Sequence, residues 1–201
     1  MAVLSERNML NMQIEAIEIR NYRVFRQVAI KDLPRLSAFV GANGSGKTTL
    51  FDVFSFLQDA LTHNIAKAVN KRGGFRELVS RGEKGPISIT LKFRETGGRL
   101  ATYELSVSSD GGLPVVEREV LKFRRGQRGK PWHHVFDFSR GRGTALTDES
   151  VRWEPGDIEQ RRELTLDEPN MLALKGLGQF KGIIAEFREI LENWHISDFH
   201  I

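Results

Sequence analysis

The chain has no cysteine among its 201 residues. That excludes a disulfide framework, a thiolate metal site and a cysteine nucleophile, and it fits a reducing, cytoplasmic compartment. No apolar run approaches the roughly 20 residues that cross a bilayer. The opening MAVLSERNMLNMQ carries Glu6 and Arg7 inside it and does not read as a signal peptide. Neither charge sign dominates: 30 Lys and Arg against 26 Asp and Glu leave +4, too small an excess to imply a nucleic-acid partner by itself. Internal repeats, low-complexity tracts and a heptad run are also missing. What remains is an ordinary globular composition, 40% hydrophobic and 28% charged, at a length that suits one domain or one lobe of a larger one.

The pattern along the chain is β-rich at first. Residues 1–11 read as a polar leader, with Met12 an equally good start. QIEAIEIR and VFRQVAIKDL read as two strands joined by a polar link, and LSAFVG (36–41) reads as a third, apolar enough to lie inside a sheet. In TTLFDVFSFLQDALTHNIAKAV, Leu50, Val53, Phe54, Leu57 and Leu61 fall at helical spacing on one stripe. From Ile87 to Phe93 apolar and polar residues alternate. Two further alternating segments follow, with Asp110-Gly-Gly as a turn, and HHVFDFSRG is a candidate fourth; together they predict an antiparallel insert over about 86–138 with one solvated face. Residues 140–170 lack periodicity and are expected to be irregular. FKGIIAEFREILENW predicts a helix over about 180–193, and WHISDFHI looks like a strand about to continue.

Between the third strand and the first helix lies Gly41-Ala42-Asn43-Gly44-Ser45-Gly46-Lys47-Thr48, which satisfies G-x-x-x-x-G-K-[ST]. The residue types follow from the chemistry of holding a polyphosphate. Backbone N–H groups must curl round the anion, so side chains have to be absent at Gly41, Gly44 and Gly46. The helix that follows turns its unpaired N–H groups and partial positive charge toward the phosphates. Lys47 would reach the β- and γ-phosphates, the Thr48 hydroxyl would ligate Mg²⁺, and Thr49 would bond a phosphate nearer the sugar. No N/T-K-x-D motif for guanine is present, which leans toward ATP.

Hydrolysis also needs a carboxylate beside Mg²⁺ and a group that orients water. LTLDEPN (164–170) offers Asp167 and Glu168. Only Leu164 and Leu166 are apolar in the segment before them, however, too few for a central parallel strand. A signature motif resembling LSGGQ does not precede them, and no histidine switch follows. The segment is read as a charged turn and both carboxylates are left out of the site.

The order QIEAIEIRNYRVFRQVAI, then LSAFVGANGSGKTTLFDVFSFL, resembles the RecF/SMC/OLD branch of ABC-type ATPases, and GGFRELVSRGEKGPISITLKF and LENWHISDFH resemble later segments of bacterial RecF-like ATPases of the AAA type. The resemblance is specific at the start and looser in the middle. It implies an α/β fold: a P-loop NTPase head lobe with a β-rich N-terminal sheet and an antiparallel insert, ending before the carboxylate motif and so forming the N-terminal half of a longer ATPase. It implies ATP and Mg²⁺ as cofactors, two heads joined through sandwiched ATP as a homodimer, and a DNA or nuclease partner. In the family the arginine-bearing loop after the first strand lies near the nucleotide, which makes Arg20, Asn21 and Arg23 candidates, with strand-end surface charge as the alternative. Gln127 and Gln179 are both available as a glutamine near Mg²⁺.

Other features point less sharply. KFRRGQRGK (122–130), with Arg140, Arg142, Trp132, His133 and His134 nearby, has the make-up of a nucleic-acid surface, but glycines at 126 and 129 favour an exposed hairpin tip. Adjacent histidines on a strand face opposite ways, which argues against a metal pair. Arg72, Arg76 and Arg81 read as a solvated loop. A non-hydrolysing nucleotide sensor and a nucleic-acid scaffold stand as rival functions.

Overall fold

In the computed structural model, residues 12–95, 98–124, 132–146 and 160–193 are described. Strands β1 (Gln13–Tyr22) and β2 (Phe25–Ile30) form an antiparallel hairpin. Helices α1 (Lys47–Thr62), α2 (Ile65–Asn70) and the single turn α3 (Phe75–Leu78) follow. Then come β3 (Ile87–Arg94), β4 (Leu100–Asp110), β5 (Leu113–Arg124), β6 (Trp132–Ser139), β7 (Arg142–Leu146) and β8 (Arg161–Thr165), and finally α4 (Ala173–Gly176) and α5 (Ile183–Glu192).

The described strands make one antiparallel sheet of eight, in the order β2-β1-β3-β4-β5-β6-β7-β8. The N-terminal hairpin and the antiparallel insert are therefore continuous: β1 pairs with β3, with Ile17 opposite Leu91 and Ile19 opposite Ile89. Alternation does the sorting. Ile87, Ile89, Leu91 and Phe93 are buried, whereas Ser88, Thr90, Lys92 and Arg94 stand on the other face. The helices cover the apolar face. Phe187 of α5 stacks on Phe93 with ring centroids 4.5 Å apart and lies 4.8 Å from Tyr103, and Phe56 of α1 meets Tyr22 edge-on at 5.8 Å.

Three expectations are corrected. LSAFVG is not a strand: no described strand lies beside it, and without a neighbour its N–H and C=O groups have no ladder to join. Phe39 packs on Phe51, but Leu36 is 90% and Val40 95% exposed. The stretch expected to be irregular contains β7 and β8; β8 is a charged edge strand, solvated widely enough that apolar alternation never develops in RRELT. The long helical pattern after the glycine loop breaks at His63–Asn64. Asn64 is extended and its Oδ1 accepts from the Lys67 N–H at 2.9 Å, an N-cap that starts α2 afresh, while Lys175 Nζ donates to the Thr62 and His63 carbonyls and closes the end of α1. The leader, the tip of the basic tract at 125–131 with Gln127, and WHISDFHI lie outside the described residues.

One carboxylate is sealed inside this packing. Glu119 of β5 is fully buried and accepts from the Tyr103 hydroxyl at 3.0 Å, from the Leu174 N–H at 3.0 Å and from the Ala173 N–H, so a strand side chain supplies the cap that α4 lacks. Burial raises its pKa from 4.5 to about 7, although these three hydrogen bonds pull the other way. A carboxyl raised on folding contributes stability that is fully present below its unfolded value and lost as pH climbs through the folded one, here from about 4.5 to about 7. Thermal unfolding followed by circular dichroism is therefore expected to show the wild type losing roughly 5 °C more than Glu119→Gln between pH 5 and pH 8.

Candidate functional site

The glycine loop occupies the surface end of α1. Leu50, Val53, Phe54, Leu57 and Leu61 tie that helix into the core, and Gly41–Ser45 and Thr48 are exposed in front of it. Gly44 and Gly46 adopt φ of +82° and +97°, the left-handed region that glycine tolerates. Gly46 has a second reason to be glycine: a Cβ there would lie 2.8 Å from Cε1 of Phe25. The start of α1 has neither a side-chain cap nor an acidic residue in its first turn. Its orphan N–H groups and dipole thus remain available to an anion. Lys47 Nζ turns back over the loop, donating to the Gly41 carbonyl at 2.6 Å and the Ala42 carbonyl at 2.9 Å and lying 3.5 Å from Ser45 Oγ. A cation inside a ring of backbone, at an uncapped helix start, suits a polyphosphate chemically. Asn43 is exposed in the loop, and Thr49, in the first turn of α1, keeps 9% of its surface exposed. Among the described residues no group of three acidic, His or Cys side chains is arranged to hold a metal. Thr48 is exposed in the first turn of α1, where its hydroxyl could share Mg²⁺ with phosphate oxygens, the way that ion is commonly held.

The other candidates scatter. Arg20 lies on the sheet face away from the helices and pairs with Glu18 at 2.6 Å. Asn21 is buried and saturated: it donates to the Gly85 carbonyl at 2.9 Å and accepts from the Ser80 N–H at 3.1 Å. Its φ of +57° is a strained backbone conformation that these two contacts hold in place. Arg23 stays beside α1, its Nε 3.0 Å from Asp52 Oδ2. Gln179 is exposed after α4, which Lys175 ties to the C-terminal end of α1. Glu168 sits at that same end, within 3.4 Å of Asn64 Nδ2. A helix of 16 residues puts it about 24 Å from Lys47. In the basic tract, Lys122 pairs with Glu104 at 2.6 Å, and Arg140 with Asp110 and Glu117. His133 packs 5.9 Å from the Phe123 ring and His134 approaches Asp137 at 3.3 Å.

Sequence reasoning missed the charge cluster behind the loop. Asp52 Oδ2 accepts from the Tyr22 hydroxyl at 2.8 Å, and its Oδ1 accepts from Arg72 Nε at 2.7 Å. Arg72, expected in solvent, has a side chain only 5% exposed. It also donates to Asp59 at 2.8 Å and to the Ala68 carbonyl at 2.9 Å, and lies 5.4 Å from the Phe56 ring centre. Burial alone would raise the Asp59 carboxyl, but hydrogen bonds from Lys71 and Arg72 outweigh it and hold the group below its ordinary range. Burial with the Asp52 charge pushes the Tyr22 hydroxyl well above its own. The available signal was Asp52 and Asp59 seven residues apart on one helix face, followed by Lys71-Arg72.

A glycine loop with an inward lysine, leading into a helix packed in the core of a sheet-rich α/β chain, fits a P-loop NTPase fold. The family comparison agrees: the AAA ATPase domain model matches residues 12–152, and the chain belongs to that family. It is also similar to DNA replication and repair protein RecF of Heliobacterium modesticaldum, 39% identical over 95 residues that make up 45% of this chain and 26% of the relative. RecF of Idiomarina loihiensis is 32% identical over 74 residues, 37% of this chain and 19% of that protein. RecF of Bifidobacterium longum subsp. infantis is 26% identical over 100 residues, 50% and 22% respectively. The chain thus spans about a quarter or less of each of these relatives.

Gly46→Ala is expected to cost about 1–3 kcal/mol in urea unfolding, because it combines a left-handed backbone with a clash against Phe25.

Proposed function

We propose that this chain is the ATP-binding lobe of a RecF/SMC-like, ABC-type ATPase. ATP·Mg²⁺ is held by Gly41, Ala42, Asn43, Gly44, Ser45, Gly46, Lys47, Thr48 and Thr49 and is hydrolysed in the complete, dimeric protein. The observation that carries the reading is the Lys47 ammonium folded over the glycine loop at an uncapped helix N-terminus. In this reading Lys47 draws the terminal phosphates into the loop and offsets charge that builds during transfer. ATP then acts as a removable bridge between two heads, which come apart once it is cleaved. The name of the RecF relatives supports DNA handling as the output; control of a nuclease rests on the sequence resemblance alone.

Two further features support a lobe that works with more protein. Leu36, Ala38 and Val40 are exposed in an apolar stretch leading straight to the loop, and a neighbouring strand would cover them. The Asp167-Glu168 pair lies at the far end of α1. That distance also favours the second reading, a module that binds nucleotide without turning it over. The pairing of Lys122, Arg118 and Arg140 with carboxylates weakens the nucleic-acid scaffold.

Titration with ATP·Mg²⁺ beside a steady-state hydrolysis assay tests the reading. The wild-type chain is expected to bind, Lys47→Ala to bind at least about tenfold more weakly, and neither to turn ATP over measurably. Turnover abolished by both Lys47→Ala and Glu168→Gln would instead identify a self-sufficient ATPase, and no Lys47-dependent binding would remove the nucleotide reading.

A further inference from the structure

The connection between β1 and β2 is the shortest a hairpin allows. Tyr22 pairs with Phe25, leaving only Arg23 and Val24 to turn the chain. Arg23 has φ of +50°, where a two-residue turn ordinarily uses glycine or asparagine. Such strain persists only where surroundings enforce it, and here they do. The Arg23 N–H donates to the Leu78 carbonyl at 2.6 Å, Ser80 Oγ donates to the Phe25 carbonyl at 2.9 Å, and the Arg23 guanidinium lies on Asp52 at 3.0 Å. Asp52 is itself fixed by Tyr22 and by the buried Arg72.

This pinned tip touches the glycine loop. The Phe25 ring occupies the space that a Cβ on Gly46 would enter, with Val24 Cγ2 at 3.6 Å from the same point. Gly46 is both the last glycine of the loop and the residue whose carbonyl accepts from the Leu50 N–H at 2.9 Å, the first hydrogen bond of α1. A wall that holds Gly46 in its left-handed conformation therefore controls where the loop N–H groups point. Asp52, on the same helix as Lys47, closes the circuit from α1 through the hairpin tip back to the loop.

We propose that Asp52 and Arg72 latch the Arg23–Phe25 tip against Gly46, and that this latch presets the glycine loop for a triphosphate. Arg23 is a positioning residue spent on Asp52, not a group that touches nucleotide. The proposal rests on the nucleotide reading above. It says that part of the affinity for ATP is set by a contact on the far side of the loop from the ligand, through preorganisation.

A double-mutant cycle on the full chain tests it, with ATP·Mg²⁺ affinity and amide exchange of Leu50 without nucleotide as the two readouts. Arg23→Ala and Asp52→Ala are each expected to weaken ATP binding about fivefold to tenfold, the double variant no further than either one, and both to speed Leu50 exchange. Phe25→Ala is expected to do the same, and it replaces Asp52→Ala in the cycle if that variant does not fold. Losses that multiply in the double variant would mean that Arg23 meets the nucleotide independently, and the latch is wrong. Single variants that bind like wild type also overturn it. If the wild type shows no Lys47-dependent binding, the nucleotide reading falls first; the latch itself then stands or falls on whether Leu50 exchange quickens in Phe25→Ala.

Discussion

The structure depends on how α1 is seated. Its apolar stripe is buried in the core, where α2 and α5 pack against it and Phe56 meets Tyr22 of the sheet, so its axis is fixed and its first turn emerges at the surface. Because a helix dipole acts only within its end turns, that seating determines where a positive, donor-rich pole exists at all. Everything the loop offers an anion follows from it: orphan N–H groups, the inward Lys47 and two left-handed glycines.

Hydrophobic burial fixes the axis of a helix but not its rotation or the fit of its neighbours. Polar contacts supply that here. Asp52 gathers a tyrosine, a half-buried arginine and a buried arginine, while Arg72 reaches a second turn of α1 through Asp59. Buried ions of this kind cost much to desolvate and are tolerated only when every partner is present. The geometry they enforce is specific, since a one-turn slip of α1 would leave Arg72 without its carboxylates. Glu119 plays a comparable part at the other end, joining the sheet to α4 through two backbone N–H groups.

The regular parts of the fold were legible in the sequence because they are governed by period. Alternation from Ile87 to Phe93 marked β3, and the Leu50–Leu61 stripe marked α1. The loop was legible because the need for bare backbone round a phosphate leaves few residue choices. LSAFVG misled, since an apolar run reports a preference for burial and not the presence of a neighbouring strand. The charged edge strand RRELT misled in the opposite direction, and the Asn64 cap was hidden within a helical period.

What the sequence determined by itself is local: the element types and a glycine loop whose spacing can be met by few chemistries. The tertiary structure decided which distant groups share a site. It put Arg20 on the far face of the sheet, spent Asn21 on Gly85 and Ser80, and carried Glu168 to the opposite end of α1. It also brought Arg23, Asp52 and Arg72 together behind Gly46. The physical reason is that ion pairs and ring contacts depend on distance in space, to which separation along the chain is almost indifferent once the sheet has set the register.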